Sequence, residues 1–493
     1  MVFYKEMINF AEKQRDMTDK LISRERECAE IKRCMESGES EFIIVCGRRR
    51  IGKTFLVEQY FNKTYDFKYV GAHNLSTRDQ LRGFAKALKK YSGKKYGEFS
   101  DWIDAFDALE EYLESITEPK RKVVFIDEMP WMDSKRSNFV SALENFWNGW
   151  AAGQENIVLI ATGSATSWMS DKLIKNKGGL HNRITSRINL KPFTLKETET
   201  YLRKNHCPWD RYQILQAYMA MGGVPFYLKR LNVKESVSQN IDRLFFEEDA
   251  PLRTEFDELY NALFASADAY ISVVRALSKH RQGMLRQEIT DVVKFNGSNL
   301  TRILKNLEQC GFIAVEQQYG SKKNGLIYRL TDFYTLFYFQ FIEGKRISDS
   351  AWWSKHAKEP EVTSWLGLTF ELVCQKHQQQ IKNALGIGAV TTNTSTWRSK
   401  AVNNEAKGGA QIDMVMERAD RIIHLFEIKF AIGQYSLTSK YASDLREREA
   451  IFREATGTKY ATVQTFLTTY GLNNPENWSI VHSEVTMDDL FNT

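Results

Sequence analysis

The apolar and polar residues of the chain follow a pattern that predicts alternating strands and helices in the first 200 residues. Three short, wholly apolar runs, at 42–46, 123–126 and 157–161, stand between segments in which apolar residues recur at helical spacing. A run without polar residues predicts a strand that is covered on both faces, as in a parallel sheet flanked by helices. Farther along, strand-like runs at 412–416 and 422–428 lie on either side of a short polar turn, which predicts a β-hairpin.

The composition is that of a folded protein with several cores. Hydrophobic residues make up 43% of the 493 residues and aromatic residues 13%, which excludes an intrinsically disordered chain. No apolar run approaches the roughly 18 residues needed to span a bilayer, and the N-terminus is too charged for a signal peptide. The six cysteines are scattered without a C-x-x-C pair, which favours free thiols in a reducing compartment over zinc ligation. We therefore predict a cytoplasmic protein with no membrane partner.

The most specific motif follows the first apolar run. Residues 47–54, GRRRIGKT, fit the pattern G-x-x-x-x-G-K-[ST] between a predicted strand and a predicted helix. In such a loop the glycines let backbone N–H groups face phosphates, the lysine reaches the β- and γ-phosphates, and the hydroxyl contacts Mg²⁺. The sequence therefore predicts ATP and Mg²⁺ as cofactors, bound by Gly47, Arg48, Arg49, Arg50, Ile51, Gly52, Lys53 and Thr54.

Acids and hydroxyls at the ends of the next two apolar runs extend this prediction. Asp127 and Glu128 directly follow the second run, so we expect Asp127 to hold Mg²⁺ and Glu128 to orient or deprotonate the attacking water. Thr162 and Ser164 end the third run, where polar residues of a parallel sheet face a bound nucleotide. Ser164 is therefore a candidate sensor of the γ-phosphate. A turn built on the Thr-Gly-Ser sequence is the competing interpretation.

A catalytic arginine is expected after these strands. Arg183 and Arg187 are both candidates for the residue that stabilises the transferred phosphoryl group, in the same chain or in a neighbouring subunit. We predict Arg183 for this role, and a surface ion pair is the alternative for each arginine. An arginine supplied by a neighbouring subunit would require a homo-oligomer.

The middle of the chain is basic. Ten Lys or Arg and five Asp or Glu lie between Tyr270 and Asp332, although the net charge of the whole chain is only +6. Three short helical segments precede two strand-like runs joined by a Gly-Ser-Lys-Lys-Asn-Gly turn, an order typical of a winged helix-turn-helix. On that interpretation DNA would be contacted by Asn299, Arg302, Asn306, Lys322 and Lys323. A protein-docking module is the alternative, and the local charge favours nucleic acid.

The predicted C-terminal hairpin carries two acids and a lysine. Asp413 lies near the start of its first strand, whereas Glu427 and Lys429 lie at the end of its second. Because side chains two apart in a strand point the same way, Glu427 and Lys429 share a face, and Asp413 can approach Glu427 across the strands. Two carboxylates suit Mg²⁺, and the lysine would hold the attacking water. Glu371, on a predicted helix at 365–385, is a further metal ligand; an ordinary hairpin with charged ends is the alternative.

Several of these motifs occur together in a known family. The segment 21–33, the GRRRIGKT loop, FIDEMPW, the Thr-Gly-Ser sequence and GGVPFYLKRL occur in this order, and together they resemble the archaeal-type prokaryotic ATPases related to the AAA+ and STAND classes. The resemblance covers residues 20–260. It implies that the segment around Arg24 helps form an adenine pocket and that Pro225 belongs to a helical lid over the nucleotide.

A second resemblance covers residues 360–493. A helix-borne acid, an aspartate and a Glu-x-Lys tripeptide follow one another as in the PD-(D/E)XK nuclease superfamily, whose domain is fused to many archaeal-type ATPases. The similarity includes GLTFE at 367–371 and VTMDDLF at 485–491, but the proline that often precedes the aspartate is missing. It implies a catalytic centre of Asp413, Glu427 and Lys429, with Asp413, Glu427 and Glu371 as metal ligands.

These observations predict an α/β protein of four parts: a P-loop ATPase core with a parallel sheet (1–200), a helical lid (201–263), a winged helix-turn-helix (264–346) and a C-terminal restriction-endonuclease-like α/β domain (347–493). The expected function is a Mg²⁺-dependent ATPase that couples ATP binding or hydrolysis to nucleic-acid binding or cleavage. The alternatives are a nucleotide-controlled signalling or defence switch and a DNA-binding regulator, each with a non-cleaving C-terminal domain. The expected partners are nucleic acid, DNA in particular, and further copies of the chain.

Overall fold

The chain divides into two compact units. The computed structural model describes residues 21–118, 121–164, 168–174, 179–180, 182–264, 266–295, 297–320, 325–345, 349–399, 410–473 and 478–492. The first unit holds the described residues of Met1–Pro192, Val224–Phe226 and Ala262–Ala265, and the second holds those of Phe193–Gly223, Tyr227–Asn261 and Ser266–Thr493. The finer division into four domains stays a prediction. No described helix is long and apolar enough to cross a membrane.

The centre of the first unit is a five-stranded parallel sheet with the strand order β2-β3-β4-β1-β5. Its strands are β1 (Glu41–Cys46), β2 (Phe67–Val70), β3 (Lys122–Asp127), β4 (Ile157–Gly163) and β5 (Ser186–Asn189). Every residue of β1, β3 and β4 is buried, as the wholly apolar runs predict, because cores cover both faces of the sheet. The predicted α/β fold with a parallel sheet is confirmed.

Helices pack on this sheet, and local side chains fix where some of them begin. Those of at least eight residues among the described parts of the first unit are α1 (Glu25–Glu36), α2 (Lys53–Tyr60), α3 (Thr77–Ser92), α4 (Trp102–Glu114) and α5 (Phe139–Gly149). Ser76 accepts a hydrogen bond from the Asp79 N–H at the start of α3, and Asp101 caps α4 in the same way. The packing holds the neighbouring strands β3, β4 and β1 in register, so their carboxyl ends meet at one edge.

A group of helices follows β5 in the chain. They are α6 (Leu195–Lys204), α7 (Arg211–Met221), α8 (Pro225–Leu228), α9 (Val237–Ile241) and α10 (Pro251–Leu263). The turn after α7 is tightly packed within the second unit, because the Phe193 N–H donates a 2.6 Å hydrogen bond to the Gly223 carbonyl oxygen. A Cβ atom on Gly223 would overlap the Phe193 carbonyl oxygen, so only glycine fits there.

The helix–hairpin segment (267–330) contains three helices and a three-stranded antiparallel sheet with the order β6-β8-β7. Its elements are α11 (Ala267–Ser278), β6 (Met284–Leu285), α12 (Arg286–Val293), α13 (Gly297–Gln309), β7 (Ile313–Gln317) and β8 (Leu326–Leu330). The residues of α13 at apolar helical spacing are buried, as predicted: Leu300, Ile303, Leu304 and Leu307. The order of elements is the one expected for a winged helix-turn-helix, and that assignment stays a prediction.

Residues 349–492 fold around a second five-stranded sheet with the order β15-β13-β11-β10-β9. Strands β9, β10 and β11 are antiparallel, and β13 and β15 continue the sheet parallel to β11. The strands are β9 (Thr392–Arg398), β10 (Gln411–Arg418), β11 (Ile422–Lys429), β13 (Ala461–Thr468) and β15 (Ser483–Thr486), and β12 (Tyr435–Ser436) pairs separately with β14 (Leu472–Asn473). The helices from residue 333 onward are α14 (Phe333–Phe341), α15 (Trp352–His356), α16 (Pro360–Lys376), α17 (Gln378–Ala384) and α18 (Ser439–Thr456). Strands β10 and β11 form the predicted hairpin.

Within the second unit, the end of β7 in the helix–hairpin segment docks on the edge strand β9. The Tyr319 N–H donates to the Thr396 carbonyl oxygen at 3.1 Å, and the Gln318 side chain donates to the Arg398 carbonyl oxygen at 3.2 Å. The Tyr319 ring lies 5.2 Å from that of Phe452 on α18. This docking therefore covers part of the free edge of β9, whose unpaired backbone groups would otherwise be exposed.

We expect Gly223→Ala to lower the melting temperature by about 3–10 °C, because the added methyl group overlaps the Phe193 carbonyl oxygen and the backbone must shift. Gly297→Ala is the matched control, since nothing lies within 4 Å of the position that its added methyl group would take. Differential scanning calorimetry on both full-length variants measures the difference. Equal melting temperatures would contradict the close approach at Gly223.

Candidate functional site

The loop between β1 and α2 has the backbone that its glycines predict. Gly47 has φ +146° and lies against the backbone of Leu190, so that a Cβ atom would meet the Leu190 carbonyl oxygen at 2.5 Å. Gly52, at the start of α2, has φ +89°, which is left-handed and favours glycine. The loop therefore curls at the edge of the sheet and presents the N-terminus of α2, a position suited to binding phosphates.

A chain of three polar side chains crosses the carboxyl ends of the strands. Lys53 is only 5% exposed, and its ammonium group donates to the Ser164 hydroxyl (3.0 Å) and the Arg48 carbonyl oxygen (3.1 Å). The Ser164 hydroxyl in turn donates to Glu128 Oε1 at 2.6 Å, and the Ser164 N–H donates to Glu128 Oε2 at 3.2 Å. Glu128 also has a left-handed backbone (φ +48°). Ser164 thus links the loop lysine to the predicted catalytic acid.

Asp127 is buried at the end of β3 among hydroxyl groups. Thr54 Oγ1 donates to Asp127 Oδ1 at 3.0 Å, and the Thr162 hydroxyl donates a short hydrogen bond to the same oxygen. Burial raises the pKa of Asp127, although these two hydrogen bonds oppose the shift. The sequence marks Thr162 only as a strand end, and the structure adds it as the residue that positions Asp127. The Thr54 hydroxyl and the Asp127 carboxylate, next to each other, fit the oxygen ligands of Mg²⁺.

The other residues predicted to bind nucleotide lie around this loop. Arg48 and Ile51 are buried, and Arg49 and Arg50 are partly exposed. The Arg50 guanidinium carbon lies 3.9 Å above the ring of Phe226, the residue after Pro225, and the Phe226 N–H donates to the Arg50 carbonyl oxygen. This contact attaches the start of α8 to the loop, as a cation–π pair would.

The two predicted arginine sites lie in different surroundings. Arg24 is 6% exposed, and its guanidinium donates to the Lys191 carbonyl oxygen at 2.9 Å and pairs with Glu27 at 3.5 Å. It is therefore fixed beside the segment that faces Gly47. Arg183, the predicted catalytic arginine, is exposed. Its role as the catalytic arginine stays a prediction.

The second cluster lies where β10 and β11 pair. Their register places Met414 opposite Phe426, so its continuation by one residue would put Asp413 opposite Glu427, the arrangement that the sequence analysis predicts. Asp413 Oδ2 accepts a hydrogen bond from the Ile428 N–H at 3.1 Å. Glu427 and Lys429 share a face of β11, and Lys429 Nζ lies 2.6 Å from Glu427 Oε1.

Two residues on α18, which the sequence analysis missed, complete the environment of Glu427. The Tyr441 hydroxyl donates a short hydrogen bond to Glu427 Oε1, and Arg448 Nη1 donates to Glu427 Oε2 at 3.2 Å. Burial lowers the pKa of Lys429, but attraction to Glu427 outweighs this and raises it. Helical spacing of seven residues between Tyr441 and Arg448 puts both on one face, a signal that the sequence contains but that no local pattern connects to the hairpin.

Asp413 and Glu371 are compensated less fully, because nearby cations and one backbone hydrogen bond to Asp413 only partly offset their burial. Burial, then repulsion from Glu427, raises the pKa of Asp413 to about 6. Burial, then repulsion from Asp413, raises the pKa of Glu371 on α16 to about 8. The two acids therefore share a site in which negative charge is disfavoured. In such carboxylate pairs a bound proton or cation relieves the repulsion.

The predicted three-acid metal site is not assembled in this structure. The described residues contain no group of three or more His, Cys, Asp or Glu side chains placed to hold a metal ion, so Glu371, Asp413 and Glu427 do not form a ready cage. The reason is that both oxygens of Glu427 are turned to cationic side chains, Lys429 and Arg448. Glu427 would have to give up one of these partners to bind a metal, and its role as a ligand stays a prediction.

The predicted nucleic-acid contacts on α13 are only partly accessible. Arg302 is exposed and its guanidinium donates to the Asn299 side chain at 2.8 Å, whereas the Asn306 amide donates to the Tyr270 hydroxyl at 2.7 Å. Asn306 is therefore engaged inside the helix–hairpin segment. The predicted contacts Lys322 and Lys323 lie outside the described residues.

Comparison with known proteins bears on the first site. Residues 21–231 match the family of ATPase domains found predominantly in Archaea. The chain is 27% identical over 327 residues to an uncharacterized protein of Methanocaldococcus jannaschii. The matched region covers 65% of this chain and 68% of the relative. With the geometry above, the family match identifies residues 21–231 as an ATPase domain of the P-loop class.

Two solved structures are similar at low identity. They are a Walker-type ATPase of Pyrococcus abyssi (17% identity, 65% of this chain and 96% of that chain, TM-score 0.47) and the ORC2 protein of Aeropyrum pernix in ADPNP–ADP complexes (12% identity, 72% of this chain and 95% of that chain, TM-score 0.37).

We expect Glu371→Gln to stabilise the protein at high pH and to leave it nearly unchanged at pH 5. Because the folded pKa of about 8 exceeds the ordinary value of 4.5, the folded state holds a proton that the unfolded state has lost. Wild type therefore loses stability as the pH rises from about 4.5 to 8, and the amide removes this loss, worth about 1–2 kcal/mol after allowance for solvent.

Melting temperatures at pH 5 and pH 9 measure this difference. Glu454→Gln, at an exposed position of α18, is the matched control and should follow wild type at both pH values. A Glu371→Gln effect of equal size at pH 5 and pH 9 would contradict the raised pKa.

Proposed function

We propose that this protein is a Mg²⁺-dependent ATPase whose nucleotide cycle controls nucleic-acid cleavage by its C-terminal domain. The observation that carries the proposal is the facing pair Asp413 and Glu427, with Lys429 on the same face, in a chain that also carries an ATPase domain. The acids Asp413 and Glu371, whose pKa values are raised, add to it, because they fit a hard cation.

In the ATPase domain each polar residue has a distinct part. Lys53 binds the β- and γ-phosphates, and the hydroxyl of Thr54 with the carboxylate of Asp127 holds Mg²⁺, which neutralises phosphate charge when bound. Glu128 orients the attacking water and receives its proton. Thr162 supports these steps by fixing Asp127 through a hydrogen bond.

Ser164 makes this site respond to the nucleotide. Its hydroxyl now bonds both Lys53 and Glu128, so the acid is held away from a water molecule. A γ-phosphate attracts Lys53 and accepts a hydrogen bond from the Ser164 hydroxyl. Because Ser164 then no longer donates to Glu128, Glu128 is free to act as the base. Hydrolysis removes the phosphate and restores the resting bonds. The third strand end is then a γ-phosphate sensor, as the sequence predicts.

A stack of aromatic rings inside the second unit supports coupling to the C-terminal cluster. Tyr212 on α7, the helix that leads into the Gly222–Gly223 turn, stacks on Phe430 at 5.4 Å with an interplanar angle of 15°. Phe430 directly follows Lys429, and it also contacts Phe370, the neighbour of Glu371, at 5.5 Å. A shift of α7 would therefore act on residues adjacent to both Lys429 and Glu371.

At the C-terminal cluster, the proposed reaction is hydrolysis of a phosphodiester. Asp413 and Glu371, joined by Glu427 once it gives up one of its cationic partners, would hold Mg²⁺, which supplies Lewis-acid stabilisation of phosphate charge when bound. Lys429 orients the attacking water and its positive charge stabilises the negative phosphorane. Arg448, 3.2 Å from Glu427, adds a second positive charge on that side.

A signalling or defence switch with a non-cleaving C-terminal domain is the second candidate. Its support is the pairing of Glu427 with Lys429, Arg448 and Tyr441, a fully satisfied arrangement that is also typical of a structural ion cluster. The cleavage experiment below separates the two candidates.

We expect Ser164→Ala to lower the rate of ATP hydrolysis at saturating ATP by about 10- to 100-fold, because the γ-phosphate loses a donor and Glu128 loses its switch. Lys53→Ala should abolish measurable turnover. Phosphate release measured with Mg²⁺ gives the rates, and Lys86→Ala, an exposed lysine of α3, serves as the control. A wild-type rate in Ser164→Ala would remove Ser164 from the mechanism.

We expect the wild-type protein to cleave labelled DNA or RNA with Mg²⁺ or Mn²⁺, and Asp413→Ala to lower cleavage at least about 100-fold, because the metal loses a ligand. Gel assays on single- and double-stranded DNA and RNA, with and without ATP, measure this, and Glu454→Gln is the control. ATP turnover with no cleavage of any substrate would replace the nuclease proposal with the switch, and cleavage that survives Asp413→Ala would place the cutting centre elsewhere.

We expect Tyr212→Ala to keep ATP hydrolysis within about twofold of wild type while it removes the effect of ATP on cleavage. The reason is that the substitution deletes the stack on Phe430 and touches no residue of the nucleotide site. Rates of both reactions in the same preparation provide the measurement. Unchanged ATP dependence of cleavage would exclude the aromatic stack as the coupling element.

A further inference from the structure

A cavity of about 240 Å³ lies in the second unit between the helix–hairpin segment and the C-terminal sheet. Asp413 and Glu371 line one side of it, and Arg281, which follows α11, lines the other. The docking of Tyr319 and Gln318 on strand β9 holds the two sides together. The cavity therefore adjoins the proposed cleavage site without using its lysine.

The cavity is lined by polar groups that lack partners. Gln375 Oε1 and Arg329 Nε are buried without a hydrogen-bond partner, although the other end of each side chain is bonded. Glu371 and Arg281, which are both partly exposed, also line the cavity. Buried polar groups are nearly always satisfied, so the Arg329 Nε donor and the Gln375 Oε1 acceptor beside one cavity point to a ligand with both kinds of group.

The rest of the wall is apolar and sets the shape of that ligand. Leu336, Leu372 and Trp397 contribute buried apolar surface, and Leu368 and Leu285 are partly exposed at its margin. The volume is below the roughly 300–1,000 Å³ of sites for drug-sized ligands, so it takes a single ring system. Flat apolar faces with donors and acceptors at the edge are the properties of a nucleobase.

We propose that this cavity binds one unpaired base of a nucleic-acid strand, which makes single-stranded nucleic acid the substrate class of the adjoining C-terminal site. The inference rests on the proposed nuclease function. Arg281 and Arg329 supply donors to the base edge, Gln375 supplies an acceptor, and Arg398 lies exposed at the end of β9, where a backbone phosphate can meet it. A paired base in a continuous duplex cannot enter a cavity of this size unless it is flipped out of the stack.

Binding without cleavage tests the proposal. A single-stranded DNA trinucleotide containing 2-aminopurine is titrated into the full-length protein in EDTA, and the fluorescence change gives the Kd. We expect Arg281→Ala and the cavity-filling Leu368→Trp to weaken binding about tenfold or more. Arg446→Ala and Ile432→Trp, at exposed positions outside the cavity, should bind as wild type does. A fully abasic trinucleotide should compete at least about fivefold more weakly, since stacking of a base is worth about 1–3 kcal/mol.

Three results would overturn the inference: no binding by wild type, equal binding by both cavity variants and wild type, or equal competition by the abasic strand. A 12-base-pair duplex with an internal 2-aminopurine that binds as tightly as the single strand would overturn the substrate class. Cleavage is measured separately with Mg²⁺. If the cavity variants weaken binding but no cleavage occurs, only the nuclease function is contradicted. If cleavage occurs but the cavity variants bind as wild type does, only this inference is contradicted.

Discussion

The cost of burying a charge governs how both candidate sites are arranged. A buried ionised group is stable only when a partner of opposite charge or several hydrogen bonds compensate it. Lys53 meets this condition through oxygen atoms, and Asp127 through two hydroxyl groups. Glu427 meets it through two cations, but Asp413 and Glu371 do not, and their raised pKa values express the deficit. In each site a bound ligand could therefore supply part of the compensation that a buried charge needs.

The two sites use this exchange differently. In the ATPase domain the partners of the charged groups are internal, because Ser164 bonds to Lys53 and Glu128 together. On the proposed mechanism, a phosphate that takes one of these bonds also changes the other, which would couple nucleotide binding to activation of Glu128 as the base. In the C-terminal cluster, burial and mutual repulsion outweigh the attraction of the nearby cations for Asp413 and Glu371. The further positive charge that these acids need would have to come from a bound ligand. A metal ion would relieve their repulsion and so favour their ionised forms.

The sequence predicted the elements that depend on local spacing. The P-loop glycines, the acids after β3 and the facing pair of Asp413 and Glu427 all follow from short motifs and from strand periodicity. It did not predict Tyr441 and Arg448, because their approach to Glu427 depends on how α18 packs on the sheet, a long-range contact that no local pattern encodes. The same holds for the polar cavity beside Asp413, whose lining residues are drawn from separate segments between Arg281 and Asp413. Contacts between elements that are far apart in the chain depend on the fold and carry no local sequence signal.

The docking of the helix–hairpin segment bears on which part of the second unit acts on nucleic acid. An independent DNA reader needs its hairpin free to follow the phosphate backbone. Here Tyr319, two residues after strand β7, donates its backbone N–H to strand β9, and its ring packs beside Phe452. On α13, the Asn306 amide is also turned inward to Tyr270. Because Tyr319 and Asn306 are bonded within the second unit, the helix–hairpin segment is better suited to form one wall of the cavity at Asp413 than to bind DNA as a separate module.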